Sequence, residues 1–268
     1  MSEGNRGQMN QQDAIIEIKD LKTYLGGTWV HKGVNLTVER GEVLGIVGGS
    51  GSGKTTLMRE ILCLTKPESG SIRVFGKELV GASAKTLLSV QQRWGVLFQQ
   101  NALFSSLNLL ENVSFPLQEH THVNSKDVVD LAMLKILMAG LPAEAAYKYP
   151  AELSGGMQKR AGIARAIVLD PELIFLDEPT AGLDPNTAAG FDELILNLQR
   201  TMGLTIVVIT HDLDTLWKVT NRVAFLGEGV VLSVDNISQL IKNNHPLIKE
   251  FFNGPRGRIA ASGYLNEK

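Results

Sequence analysis

The chain has 268 residues, 44% apolar and 20% charged, enough to bury a substantial core and within reach of one domain carrying a subdomain or tail. Its 26 basic and 28 acidic side chains leave a formal charge of -2, and mixed-sign pairs such as Lys126-Asp127 and Lys249-Glu250 form no basic stripe, which argues against a nucleic-acid partner. A single cysteine, Cys63, excludes a disulfide within the chain, and no run approaches the ~18 apolar residues needed to cross a bilayer, so any membrane role must come through a partner.

In chain order, Met1 to Gln12 is polar and glycine-containing, without the apolar core of a secretory signal; we expect a disordered N-terminus over residues 1–12 and a protein kept in the cytoplasm. Ile15 to Lys19, Val34 to Val38 and Ile72 to Phe75 read as strands set off by Gly-containing turns, an antiparallel β-portion flanking a buried strand over Glu42 to Val47. That strand runs into Gly48-Gly49-Ser50-Gly51-Ser52-Gly53-Lys54-Thr55, which satisfies the phosphate-loop pattern G-x-x-x-x-G-K-[ST], and a helical Thr56 to Leu62 follows. Strand, glycine loop and helix are the context the pattern requires. The glycines let backbone N–H groups turn inward around phosphates, Lys54 adds a point charge toward the β- and γ-phosphates, and the Thr55 hydroxyl can ligate magnesium. A glycine-rich turn followed by a chance Lys-Thr is the plain alternative, and the flanking elements weigh against it. Cys63, on the apolar side of the helix, reads as a small buried residue rather than a catalytic thiol.

Beyond Gln99 the stretch Ala102 to Leu117 is strongly apolar; part of it reads as core, whereas Leu103 and Phe104 read as walls of a groove receiving a short cytoplasmic helix from a membrane subunit. Asp127 to Ala139 and Met157 to Leu169 carry apolar residues at helical spacing and suggest a helical subdomain. Leu153-Ser154-Gly155-Gly156-Met157-Gln158 opens the second helix, either as a serine N-cap with permissive glycines or as a second anion site at a helix N-terminus. Leu173 to Leu176 and Thr205 to Thr210 flank a helical Ala188 to Gln199, a strand-helix-strand unit that favours a parallel sheet. The first of these strands ends in Asp177-Glu178, and strand C-termini form the ligand-binding edge of such a sheet. Asp177 suits a magnesium shell, and Glu178, one residue further, suits a general base orienting an attacking water. A helix cap or solvated turn would explain a lone Asp-Glu pair; the buried strand before it weighs against that. His211, at the end of the second strand, can bridge a γ-phosphate and neighbouring backbone. Pro246 to Phe252 reads as a last helix with an irregular extension from Asn253 onward.

The ordered set Gly48 to Thr55, Gln99, Leu153 to Gln158, Leu173 to Glu178, Ala181 to Asp184 and His211 makes the chain similar to the ATP-binding-cassette ATPases from Tyr24 to about His211. The resemblance implies an α/β phosphate-loop NTPase fold, a RecA-like mixed and largely parallel sheet with an antiparallel β subdomain. It further implies a nucleotide-binding domain over residues 13–253 with an α-helical signature subdomain at about 100–168. ATP and Mg2+ are its implied cofactors. Nucleotide contacts would come from the phosphate loop with Thr56, and from Gln99, Asp177, Asp184 and His211; Tyr24 would stack on adenine, in competition with Trp29. Thr55, Gln99 and Asp177 would face the metal, and Glu178, His211, Gln99 and Lys54 would be the catalytic set. Ser154, Gly155 and Gly156 would complete the site of a second copy, so a homodimer is implied. The chain departs from the family at Met157, where glutamine is usual, with Gln158 next to it, and at Ala181, which opens a loop usually led by serine.

Within that family, Asn112 to Thr121, Leu153 to Met157 and His245 to Gly254 resemble the Mla-type phospholipid-transport ATPases of Gram-negative bacteria, and Tyr149 to Glu152 resembles importer-type cassettes generally. The finer resemblance implies a peripheral subunit on the cytoplasmic side of the inner membrane. Its implied partners are a second copy, multispanning permease subunits, a periplasmic Mce-domain lipid-binding ring and a small STAS-domain protein. It also implies a dimer contact for the tail, residues 254–268, which composition alone would leave disordered. An ATPase of another importer is the nearest alternative. A soluble cassette acting on DNA or ribosomes usually carries a long coiled-coil insertion or two cassettes, for which the short segment 100–153 and the single phosphate loop leave no place. A phosphate-loop kinase would have no use for Ser154-Gly155-Gly156.

Overall fold

The computed structural model describes residues 14–253; the expectations for residues 1–12 and for the tail 254–268 lie outside them. Strands β1 (Ala14–Leu25) and β2 (Thr28–Glu39) form a long antiparallel hairpin, and β2 alternates buried and exposed positions along its second half, the period of a strand with one face on the core. Strand β3 (Val43–Val47) is buried at every position, as a strand covered on both faces must be, and leads through the glycine loop into α1 (Lys54–Ile61). The chain then runs through β4 (Ser69–Val74), the short β5 (Lys77–Glu78), α2 (Ala84–Gln91) and β6 (Trp94–Leu97). Helices α3 (Leu109–His120), α4 (Ser125–Met138) and α5 (Gly155–Ala166) follow as one helical block. The remainder alternates strands and helices: β7 (Leu173–Asp177), α6 (Pro185–Met202), β8 (Thr205–Ile209), α7 (Leu213–Val219) and the hairpin β9 (Arg222–Gly227) and β10 (Val230–Asp235). It closes with α8 (Ile237–Leu240) and α9 (Pro246–Asn253).

Two sheets result. The smaller is antiparallel, in the order β2-β1-β4-β5; the larger runs β10-β9-β3-β8-β7-β6 and is parallel except for β10. Alternation along the central strands assigns their side chains to opposite faces. Leu44, Ile46, Phe175, Val207 and Ile209 pack toward the small sheet and α1, whereas Val43, Ile174, Leu176, Ile206 and Val208 pack toward α3 to α6. A third cluster seats α7 and α9 on β9 through Leu216, Phe225, Ile248 and Phe252. This is the α/β phosphate-loop architecture with its antiparallel subdomain, and parallel β3, β7 and β8 bring three strand C-termini to one edge.

Several local features differ from the sequence reading. The apolar stretch 102–117 is divided between a loop and α3, whose start is fixed by a capping box: Asn108 Oδ1 accepts from Glu111 N at 2.9 Å while Glu111 Oε2 accepts from Asn108 N at 2.8 Å. Cys63 lies beyond the end of α1 with φ of 59°, so it is not helical, and it is half-buried, packed against the same core as the buried face of α1. The elements α2, β6, α7, β9 and β10 were not legible. Among the described residues no helix is long and apolar enough to cross a membrane.

Candidate nucleotide site

The glycine loop spans the gap between β3 and α1, and two of its glycines have no room for a side chain. At Gly48, with φ of 152°, a Cβ would lie 2.1 Å from the Leu226 carbonyl oxygen; at Gly53, with φ of 97°, it would lie 2.6 Å from His31 Nε2. The loop is therefore pressed between β9 and the β1-β2 hairpin. Lys54, the first residue of α1, curls back so that Nζ donates to the Gly48 carbonyl at 2.9 Å and the Gly49 carbonyl at 3.0 Å. Burial pushes its ammonium below the ordinary lysine range, and the Glu178 and Asp177 carboxylates oppose that shift by favouring the charge. A concave backbone with a cation at its centre fits a phosphate group. Thr55 and Thr56 follow on the first turn, Thr55 exposed and Thr56 half-buried. On the outer side of the loop, Gly49 to Ser52 share a cavity of ≈ 510 Å³ with Phe225, Leu247, Glu250 and Phe251 from β9 and α9, a neighbour that sequence reading did not anticipate.

Two carboxylates face this cation from the end of β7. Asp177 is buried, and both its burial and the neighbouring Glu178 raise its pKa, with Lys159, Arg59 and Lys54 acting the other way. At Glu178 the strand turns: its N–H still donates to the Ile209 carbonyl at 2.8 Å, continuing the pairing with β8, but its φ is 47°. A left-handed glutamate is costly and re-aims the carboxylate away from the alternation of the strand. Its Oε1 lies 2.9 Å from His211 Nδ1, and Thr210 Oγ1 donates to Oε2 at 3.4 Å. His211 thus engages the Glu178 side chain, whereas the sequence reading placed it between a γ-phosphate and backbone.

Gln99 is exposed in the turn after β6, and its backbone is fixed by a residue the sequence reading passed over. Lys159, on the inner face of α5 and 4% exposed, donates from Nζ to the Gln99 carbonyl at 2.8 Å and to the Glu178 carbonyl at 3.1 Å. A lysine on the apolar side of a helix was the available signal, since such a charge needs several acceptors. Lys54, Asp177, Glu178, Gln99 and His211 therefore belong to one neighbourhood. Among the described residues no group of three or more His, Cys, Asp and Glu side chains could by itself hold a metal. The Thr55 hydroxyl and the Asp177 carboxylate are oxygen donors of the kind a magnesium ion takes.

Ser154, Gly155 and Gly156 occupy different ground. Ser154 is exposed and caps α5, its Oγ accepting from Met157 N at 3.3 Å, so the N-cap reading holds, and the turn before it is held by Gln158 Nε2 donating to Pro150 and Leu153 carbonyls. Gly155 and Gly156 lie beside Leu183 and Thr187, next to the loop Ala181 to Asp184. Asp184 is itself an N-cap, accepting from the N–H groups of Asn186 and Thr187 at 3.1 Å each, and the Thr187 hydroxyl holds its carboxyl below the usual range. Tyr24 and Trp29 face each other across the hairpin edge-to-face at 5.3 Å, equally exposed at 48%, so they form one aromatic unit. Phe104 is exposed and packs on Phe115 at 5.0 Å, while Leu103 is half-buried against the helical core.

Comparison with known proteins agrees with this geometry. The family described as ABC transporter matches residues 31–181, more than half of the chain. A probable ribonucleotide transport ATP-binding protein, Mkl of Mycobacterium leprae, is 37% identical over 265 residues, covering 99% of this chain and 75% of the relative. The intermembrane phospholipid transport system ATP-binding protein MlaF of Haemophilus influenzae is 35% identical over 264 residues, covering 97% and 99%. Among solved structures, a dimeric ATP-binding cassette in a post-hydrolysis state bound to ADP and Pi superposes with a TM-score of 0.76 at 31% identity, covering 83% of this chain and 98% of that one.

Proposed function

The chain belongs to the ABC transporter ATPases, enzymes that hydrolyse ATP, and from that premise we propose that it is the motor of an Mla-type phospholipid transporter. The observation that carries the lipid assignment is the alignment with the phospholipid-transport relative, which runs through 99% of that protein, whereas the ribonucleotide-transport relative is matched over 75% of its length. An importer of another solute is the competing reading, supported by the comparable identity of that second relative.

In this reading the N–H groups of Gly48 to Gly53 and the Lys54 ammonium hold the triphosphate, with Thr56 beside them. Thr55, Asp177 and Gln99 would hold magnesium, which supplies charge neutralisation and orientation to the phosphate oxygens. Glu178 takes the proton from the attacking water, and the His211 ring holds the Glu178 carboxylate in the required direction. Lys159 fixes the backbone on both sides of that water, at Gln99 and Glu178. Tyr24, with Trp29, stacks on the base. Ser154, Gly155, Gly156 and Asp184 serve the site of a second copy, so the working unit is a homodimer, in keeping with the dimeric cassette it resembles.

The same reading makes residues 13–253 the nucleotide-binding domain, with 100–168 its signature subdomain and 254–268 a dimer contact. The dimer is peripheral on the cytoplasmic side of the inner membrane, bound to a multispanning permease, a Mce-domain ring and a STAS-domain protein. Leu103 and Phe104 receive the permease helix. Affinity purification of the tagged chain from detergent-solubilised membranes tests this: a permease and a Mce-domain protein are expected, and a solute-binding protein with a different permease would overturn the lipid assignment.

A further inference from the structure

Beneath the phosphate loop lies a closed polar cluster that the roles above do not use. His31 on β2, Glu60 on α1 and Thr23 on β1 are all buried, with the His31 and Glu60 side chains at 0% exposure. His31 Nδ1 lies 2.9 Å from Glu60 Oε2 and 3.1 Å from Thr23 Oγ1, and the Thr23 hydroxyl donates to Glu60 Oε1. Glu60 Oε2 has no hydrogen-bond partner among the described residues and sits against the His31 ring. On the far side of the ring, His31 Nε2 lies 3.3 Å from the carbonyl of Gly53, the loop residue that caps α1 and already accepts from Leu57 N at 2.8 Å.

Counting protons fixes one role in this cluster. A carbonyl can only accept, so the contact with Gly53 requires the hydrogen on Nε2, while Nδ1 faces the Thr23 hydroxyl and the Glu60 carboxylate. Burying either partner alone would be costly, which is why the two occur together. The ring is also in contact with the loop itself, since a side chain at Gly53 would collide with it.

We propose that His31 is a positioning residue for the phosphate loop: its Nε2–H anchors the Gly53 carbonyl, Glu60 and Thr23 hold the ring, and nucleotide affinity depends on that anchor. The inference rests on the reading of Gly48 to Thr55 as the ATP site. Two conservative replacements separate anchoring from packing. The amide of His31→Gln reaches the Nε2 position and keeps the donor to Gly53; that of His31→Asn reaches only the Nδ1 position and keeps the Glu60 partner.

ATP binding to the full chain, measured by calorimetry on variants whose thermal melts show a folded protein, is expected to stay within about threefold for His31→Gln and to weaken about tenfold for His31→Asn. The chemical step should change less than KM. Equal affinity in both variants, or loss in His31→Gln alone, would overturn the proposal. If neither variant folds, the 15N shift of His31 Nε2 in the natural protein decides, because an unprotonated Nε2 excludes the anchor. Lys54→Ala run in parallel keeps the two readings apart: if it leaves ATP affinity unchanged the loop assignment itself fails, and if it weakens binding while both His31 variants bind normally only the anchor fails.

Discussion

At the scale of single residues, the structure brings a cation and two carboxylates together where the chain changes from regular strand to turn. Glu178 bears the clearest mark, a left-handed backbone held by the pairing of its N–H with Ile209 and by His211 on its carboxylate. Glu178→Gln keeps the shape and removes the proton acceptor, so we expect ATP turnover to fall by about 10²- to 10⁴-fold with ATP affinity little changed. Steady-state hydrolysis and equilibrium binding on one preparation check this; a turnover near the natural rate would sink the general-base role. Lys54→Ala removes the loop's charge instead and should cost affinity by about tenfold or more. Nucleotide titration measures it.

At the scale of elements, the entry to α3 depends on one buried amide. Asn112 Oδ1 accepts from Phe104 N at 2.8 Å, and its Nδ2 donates to the carbonyls of Leu107 at 2.9 Å, Asn108 at 3.0 Å and Phe104 at 3.1 Å. The loop carrying Leu103 and Phe104 thus takes its shape from a side chain on the helix that follows it. Asn112→Ala removes the partner of the Phe104 N–H and of the Leu107 carbonyl, leaves a gap where a fully buried amide stood, and should lower stability by about 2–3 kcal/mol. Urea unfolding gives the stability loss, and faster proteolysis at Phe104 with slower change elsewhere would locate it to this loop.

At the scale of the whole molecule, a buried contact links acid-base state to the fold, and an exposed helix start links the fold to assembly. Asp192 on α6 accepts from the Thr215 hydroxyl of α7 at 3.1 Å, and burial pushes its pKa from 3.8 up to about 6 despite that bond. The folded chain therefore takes up this proton before the unfolded chain does as pH falls. The group's contribution to stability grows on acidification from about 6 to 3.8 and is lost again as pH rises through that window. Asp192→Asn should raise stability near neutral pH by roughly 1–2 kcal/mol and flatten the pH profile between these values, which chemical denaturation across pH reads directly. Assembly is the second link. If Ser154 to Gly156 complete a partner's site, Glu178→Gln with ATP should double the solution mass by light scattering, and a chain that stays monomeric would count against the shared site.

The sequence by itself determined the motifs and their order, because strand, glycine loop and helix, or a buried strand followed by Asp177-Glu178, are set by local periodicity and by residues with few conformational alternatives. It also favoured a parallel pairing of β7 with β8, since a helical segment lies between them. Tertiary structure decided what periodicity cannot encode. Strand β6 has four residues and β10 has no fully buried position, so neither carries a strong pattern, and their strand character comes from pairing with β7 and β9. The contacts that finish the candidate site are of the same kind. Lys159 reaches Gln99 across 60 residues, His211 reaches Glu178 across 33, and His31 reaches Gly53 across 22, distances in sequence over which only the packed fold brings donor to acceptor.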